Sequence, residues 1–164
     1  MLNKEERLFH TLYSCGLITK SSIVNKIGGD EDLINDLMER KLLSKTKVDV
    51  GKPVAIYHFT KKGEKEYVKR FHKSSFYKNE NFEKASKLSY LYCSLTDEEK
   101  KSWITQGELK EKIQFEIYPD AVFVKNNTLI GLFVCYESEL TDDVKSKMKE
   151  FANLYKITVK VKTI

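Results

Sequence analysis

The sequence predicts an α+β chain: an N-terminal winged helix-turn-helix, then a small αβββαβ module with a mixed sheet. Three observations predict it. Apolar residues recur at helical spacing in three segments before residue 42. Two extended stretches then flank Val50-Gly51-Lys52-Pro53, which reads as a hairpin tip. After Ser102 the pattern runs helix, three strands, helix and a last strand.

In the first half, Asn3 can cap a helix from Lys4 to Cys15, with Glu6 as its capping-box partner. Leu8, Phe9, Leu12 and Tyr13 fall on one face of it. A second helix starts after Thr19, buries Ile23, Val24 and Ile27, and stops at Gly28-Gly29, where glycine tolerates a left-handed backbone. A third runs from Asp30 to about Lys41 on Leu33, Ile34, Leu37 and Met38. The hairpin follows, with strands from Leu43 to Val50 and from Pro53 to Phe59, and a fourth helix begins at Thr60. The stretch Tyr57-His58-Phe59-Thr60-Lys61-Lys62-Gly63 resembles the "strand, Thr, two residues, Gly" exit of winged-helix regulators.

Residues 74–81 read as a linker between a winged-helix domain at 1–73 and an α/β domain at 82–164. The second half opens with a helix from about Asn81 to Ser94, and Thr96-Asp97-Glu98-Glu99 is a capping box for the next. That helix is expected to carry Trp103 as a core anchor. Strands are expected at about Ile113 to Tyr118, Ala121 to Lys125 and Thr128 to Glu137, with Asn126-Asn127 as a tight turn between the last two. The third is nearly all apolar, as a central strand covered on both faces would be. A helix after Thr141 carries Val144, Met148, Phe151, Ala152 and Tyr155, and the last strand, Ile157 to Thr163, alternates as if one face were buried. The step from residue 128 to 163 implies parallel pairing.

The net charge is +5, but it is unevenly placed. Between Arg40 and Lys73 there are 11 Lys and Arg against 3 Asp and Glu, whereas residues 76–164 hold 14 of each sign. A basic stripe confined to one domain is the footprint of a phosphate-binding surface. The third helix argues the other way, since Asp30, Glu31, Asp32, Asp36 and Glu39 lie among its exposed positions. Only Asn35 and Arg40 there suit base reading, Asn to adenine and Arg to guanine. Two readings stand: duplex DNA is bound mainly through the hairpin, or the third helix faces a protein partner. The DNA-binding set is Asn35, Arg40, Lys45, Lys47, Lys52, Lys61 and Lys62.

Other classes find little support. The longest apolar run, Leu129 to Tyr136, is far short of the ~20 residues that span a bilayer. The N-terminus is polar and acidic, unlike a signal peptide. Cys15, Cys93 and Cys135 lack metal spacing and read as buried thiols of a cytoplasmic protein, and His10, His58 and His72 form no cluster with them. No cofactor or metal is expected.

The segments Ser102-Trp103-Ile104-Thr105-Gln106-Gly107-Glu108-Leu109 and Pro119-Asp120-Ala121-Val122-Phe123, followed by the third strand and the helix ending at Tyr155, resemble the replication-relaxation family of mobile-element proteins. That resemblance implies a winged helix joined to a PD-(D/E)XK nuclease-like module, and a role in plasmid, phage or conjugative-element replication, relaxation or mobilisation. It also implies a metal site, which the residues here fit poorly. Gln106 stands where the family pattern has a glutamate. Asp120 and Glu137 remain as vestigial metal-site candidates. If Cys135 holds the acid position, Glu137 falls on the lysine position, and if Glu137 is the acid, Glu139 does. The expectation is therefore a non-enzymatic DNA-binding accessory or regulatory protein, with a relaxase, a replication protein or a second copy as possible partners. A protein-interaction module is the alternative, and a metal-dependent endonuclease a more distant one.

Overall fold

A computed structural model describes residues 2–164. The fold is mixed α+β, with one antiparallel and one mixed sheet. In the first half, α1 (Lys4–Cys15) carries the Asn3–Glu6 capping box and ends at Gly16. A short strand β1 (Ile18–Thr19) leads into α2 (Lys20–Ser22), capped by Thr19 and continued by a π-helical turn at Ile23–Ile27. Gly28 stops it with φ +75°. Asp30 caps α3 (Glu31–Glu39) by accepting from the Leu33 amide at 2.9 Å. Strands β2 (Leu43–Asp49) and β3 (Pro53–Phe59) form the hairpin, and β1 pairs with β3, giving the order β1-β3-β2. Thr60 caps α4 (Lys61–Phe71) and also donates to the Lys41 carbonyl at 2.6 Å, which ties the helix start to the base of the hairpin.

That junction explains Gly63. A Cβ there would lie 2.1 Å from the Leu42 carbonyl oxygen and 2.8 Å from the Phe59 ring. Only a residue without a side chain lets the first turn of α4 sit on the hairpin base, so the Thr-x-x-Gly spacing is a packing requirement.

In the second half, α5 (Phe82–Cys93) is capped by Asn81 and α6 (Asp97–Lys101) by Thr96. Next come β4 (Ile104–Thr105), α7 (Gln106–Lys112), β5 (Ala121–Lys125), β6 (Thr128–Cys135), a 3-10 turn at Glu137–Glu139, α8 (Asp142–Tyr155) and β7 (Thr158–Thr163). The sheet order is β4-β5-β6-β7, antiparallel except for the parallel β6–β7 pair. Asn126 and Asn127 both take positive φ at the β5–β6 turn, as a two-residue hairpin turn requires. Strand β6 is buried from Ile130 to Cys135, which is the two-sided cover its apolar run implied.

Four expectations need correction. Val24, expected in the core beside Ile23 and Ile27, is exposed. Residues 113–118 form no strand; the Tyr118 hydroxyl folds back, accepting from the Phe115 amide at 2.9 Å and donating to the Ile113 carbonyl at 3.0 Å. Those backbone groups are satisfied locally, and the place beside β5 goes to Ile104–Thr105. Trp103 lies just beyond α6 and not on it, although it is a core residue, at 5.0 Å from the Tyr92 ring and 5.4 Å from Phe123. Strand β7 does alternate, but as an edge strand it is mostly exposed, and only Ile157 at its entry is buried.

The two halves share a core. Cys15, Leu17 and Ile56 cluster with Leu88, Trp103 and Phe123 from the second half. Residues 74–81 carry no helix or strand but are stitched to both sides. The Tyr77 amide donates to the Tyr13 carbonyl at 3.0 Å, and Thr105 Oγ1 donates to the Ser75 carbonyl at 2.7 Å. No helix among the described residues is long and apolar enough to cross a membrane.

Candidate nucleic-acid interface

Strands β2 and β3 stay in register from Leu43–Phe59 at the base to Asp49–Pro53 near the tip. Six residue steps make an arm about 20 Å long. Side chains alternate across it. Thr46, Val48, Val54 and Ile56 share one face, and of these Val48, Val54 and Ile56 pack into the core that the second half contributes. Leu43, Lys45 and Lys47 share the other, whose inner end is sealed by Leu43 and Tyr57 in the first core. The second half therefore braces the arm from behind and leaves Lys45 and Lys47 exposed on the opposite face.

Lys52 is exposed in the turn at the tip, and Lys61 and Lys62 are exposed where α4 meets the base. Lys45, Lys47, Lys52, Lys61 and Lys62 have no carboxylate within 4.0 Å among the described residues. Lys62 Nζ donates to the Arg40 carbonyl at 2.9 Å, which holds its ammonium beside the end of α3. Lys61 and Lys62 also lie at the positive end of the α4 dipole, with Glu64 the only acid in that turn. Cations at that end go against the dipole, and an anion there would relieve both.

The acids of α3 are partly spoken for. Asp30 lies 3.7 Å from Lys4, Glu31 2.7 Å from Lys20, and Asp36 2.8 Å from Arg40. The Lys20 contact holds the Glu31 carboxyl below its usual range, with help from the nearby charge of Lys45. Asp32 and Glu39 stay exposed without a partner among the described residues, so the outer surface of α3 keeps an acidic character.

The two base-reading candidates separate. Asn35 is exposed and makes no side-chain hydrogen bond among the described residues. Arg40 is not free for guanine: its Nη1 is held by Glu5 at 3.0 Å and by Asp36 at 2.8 Å. Glu5 in turn bridges to Arg70, so Arg40 belongs to a network joining α1, α3 and α4. The Asp36 pair is local, at i,i+4, but a helical projection cannot show the Glu5 partner on another helix.

The vestigial metal candidates are not brought together. Asp120 is buried, and both its oxygens are in use: Oδ1 accepts from the Tyr77 hydroxyl at 2.6 Å and Oδ2 from the Val134 amide at 2.7 Å. Burial pushes the Asp120 carboxyl up, and these two hydrogen bonds pull it back in part. Glu137 is exposed in the turn after β6. It lies four residues past Phe133, which the β5–β6 register puts across from Asp120, a reach of up to about 13 Å. A groove of about 290 Å³ beside Asp120 is lined instead by Lys84, Gln106, Cys135 and Glu139. Lys84 pairs with Glu139 at 2.7 Å. This lysine comes from α5, far from the motif in sequence, so motif spacing had no means of finding it. Among the described residues no three His, Cys, Asp or Glu side chains gather as a metal would require.

Compared with family models, curated proteins and solved structures, the chain matches none.

Proposed function

We propose that this chain is a non-enzymatic DNA-binding accessory or regulatory protein that grips the duplex backbone with its β2–β3 arm. One observation carries the reading: Lys45, Lys47, Lys52 and Lys61 stand exposed on or beside a single braced hairpin with no carboxylate within 4.0 Å among the described residues. In this reading the first half works as a winged helix. Its element order of three helices, hairpin and closing helix supports that, with β1 pairing alongside the hairpin. The wing then lies along phosphates and α3 approaches the major groove. Base reading falls to Asn35 alone, because Arg40 is engaged elsewhere. Most of the affinity is electrostatic, and sequence discrimination is weak. The resemblance to the replication-relaxation family extends the proposal to plasmid, phage or conjugative-element replication, relaxation or mobilisation in the cytoplasm.

The test is a fluorescence-anisotropy titration of a random duplex across a salt series. Each phosphate neutralised contributes about −0.9 to the slope of log affinity against log salt, so three or four lysines give a slope near −3. Replacing Lys45, Lys47 and Lys52 together with Glu should weaken binding by at least about 100-fold at low salt, each tenfold being about 1.4 kcal/mol. Affinity unchanged in the triple variant, or insensitive to salt, removes the proposal.

A second reading, a protein-interaction module, draws on the acidic outer surface of α3 and the exposed edge strand β7. A relaxase, a replication protein or a second copy would be the partner. It predicts weak, non-saturating duplex binding and partner binding that is lost on Asp32→Lys with Glu39→Lys. A metal-dependent endonuclease would need Asp120 to release Tyr77 or Val134. Plasmid nicking with magnesium or manganese, present in wild type and absent in Asp120→Asn, would support that reading against the other two.

A further inference from the structure

Helix α4 carries two stripes of side chains. Gly63, Tyr67 and Phe71 recur every four residues and face inward: Gly63 sits on the Leu42 carbonyl, Tyr67 is buried, and Phe71 packs on the first core. Lys61, Lys65 and Lys69 recur at the same spacing and are exposed. The two sets are two residues out of step, about 200° of helix turn, so the lysines point directly away from the core. Lys61 to Lys69 makes a row about 12 Å long.

The row continues at its N-terminal end. Thr60 Oγ1 donates to the Lys41 carbonyl at 2.6 Å, which sets the exposed Lys41 beside the start of α4. Lys62 Nζ reaches the Arg40 carbonyl at the same corner. Lys41, Lys61, Lys62, Lys65 and Lys69 have no carboxylate within 4.0 Å among the described residues. Glu64 and Glu66, the acids of α4, are half-buried on its flanks.

A helix face kept only for water mixes its signs. On α8, Lys145, Lys147 and Lys149 are set against Asp142, Asp143 and Glu150, and Lys147 pairs with Asp143 at 3.0 Å. On α6, Lys101 pairs with Glu98 at 2.6 Å. On α4, lysines four apart repel one another. Lys61 and Lys62 also oppose the helix dipole, which favours Lys69 in the last turn. A row that works against its own helix calls for an anion along its length. Duplex nucleic acid offers one charge per about 1.7 Å of axis, so about seven lie along 12 Å. A bilayer surface is a poorer fit, because the apolar stripe of α4 is spent on the core and has nothing to insert.

We infer that α4 is a second phosphate-contacting surface, on which Lys65 and Lys69, with Lys41 at the corner, carry the duplex contact beyond the arm. The inference rests on the duplex reading of the arm, which the row meets at the hairpin base through Lys61 and Lys62.

The full chain would be titrated onto a fluorescent random duplex of about 24 base pairs across a salt series. The arm alone gives a slope of log affinity against log salt near −3, and arm with row gives one near −5, since two further lysines add about −0.9 each. Lys65→Gln with Lys69→Gln should return the slope to about −3 and weaken binding at least about tenfold at low salt. Lys65→Arg with Lys69→Arg should keep the wild-type slope. Lys145→Gln with Lys149→Gln removes the same charge at the same spacing from α8, and should change affinity less than about twofold. Each variant is checked for an unchanged melting temperature. If the α4 Gln pair behaves like the α8 pair while Lys45→Glu/Lys47→Glu/Lys52→Glu still loses the duplex, the inference fails and the arm reading stands. If wild type shows no salt-dependent duplex binding, both fall. Saturable binding to phosphatidylserine vesicles that the α4 Gln pair loses, with duplex binding unchanged, overturns the inference in favour of a membrane surface.

Discussion

The β2–β3 arm and the Asp120 groove invite comparison because each carries charge in a pattern associated with nucleic-acid chemistry, yet the fold treats the two in opposite ways. On the arm, Lys45, Lys47 and Lys52 are exposed and have no carboxylate within 4.0 Å among the described residues. In the groove, Asp120 is spent on structure, tying residue 77 to the central strand through Tyr77 and Val134. A charged residue is available for a ligand only if the protein has not already used its hydrogen-bonding capacity. By that criterion the arm keeps its charge available, as the proposed duplex contact requires, and Asp120 is a bolt between the 74–81 segment and the second sheet.

The sharpest way to break the comparison is Asp120→Ala. It leaves a buried hydroxyl and a buried amide without an acceptor, at about 1–3 kcal/mol each. A urea-unfolding series should show a loss of about 3 kcal/mol, with duplex affinity unchanged under conditions where the variant is folded. A loss under about 1 kcal/mol would mean that Asp120 is not bolting residue 77 to the central strand and is free for other work. Gly63→Ala should cost a similar amount, about 3 kcal/mol, because its Cβ meets backbone at 2.1 Å and cannot be accommodated by a side-chain shift.

Single changes on the arm come next. Lys47→Ala should weaken duplex binding by about 1 kcal/mol, reduce the salt slope by about 0.9, and leave the melting temperature within a degree or two. The same change at Lys84, which is paired to Glu139 in the groove, should leave duplex affinity unaltered. Equal effects at the two lysines would erase the distinction between the regions.

Arg40→Ala sharpens it further. A base-reading arginine would cost affinity and specificity on removal, whereas an arginine held by Glu5 and Asp36 should cost under about 1 kcal/mol of stability, since the pairs are partly exposed, and leave duplex affinity intact. The smallest effect concerns pH. His10 is half-buried against Tyr67, and burial, with the nearby charge of Lys73, lowers its pKa below the usual histidine value. The unfolded chain then binds the proton more readily, so this contribution to stability is complete above about pH 6.5 and is lost as pH falls through the lower folded value. His10→Phe should flatten that part of the stability–pH curve, and an unchanged curve would place the acid sensitivity elsewhere.

Local rules did most of the work in laying out the elements. Asn3 and Thr96 cap helices as their capping boxes indicated, and Thr19, Asp30, Thr60, Asn81 and Thr141 prove to be the caps of helices expected to begin at or just after them. A cap is a contact within four residues, so the sequence displays it directly. The same holds for the Asn126-Asn127 turn and for the basic run that becomes the arm. The expected strand at 113–118 failed for an equally local reason that composition hides: one tyrosine hydroxyl satisfies the backbone groups a ladder would have used.

What the chain determined by itself, then, is where helices start and stop, which strand is central, and where positive charge accumulates, because these depend on neighbours a few residues away. Tertiary structure alone decided which charges remain available. Arg40 is taken by a glutamate 35 positions earlier and Asp120 by a tyrosine 43 positions earlier. Such partners meet only when the chain closes on itself, and the energy of a charge depends on who stands within a few ångströms of it, not on who precedes it in sequence.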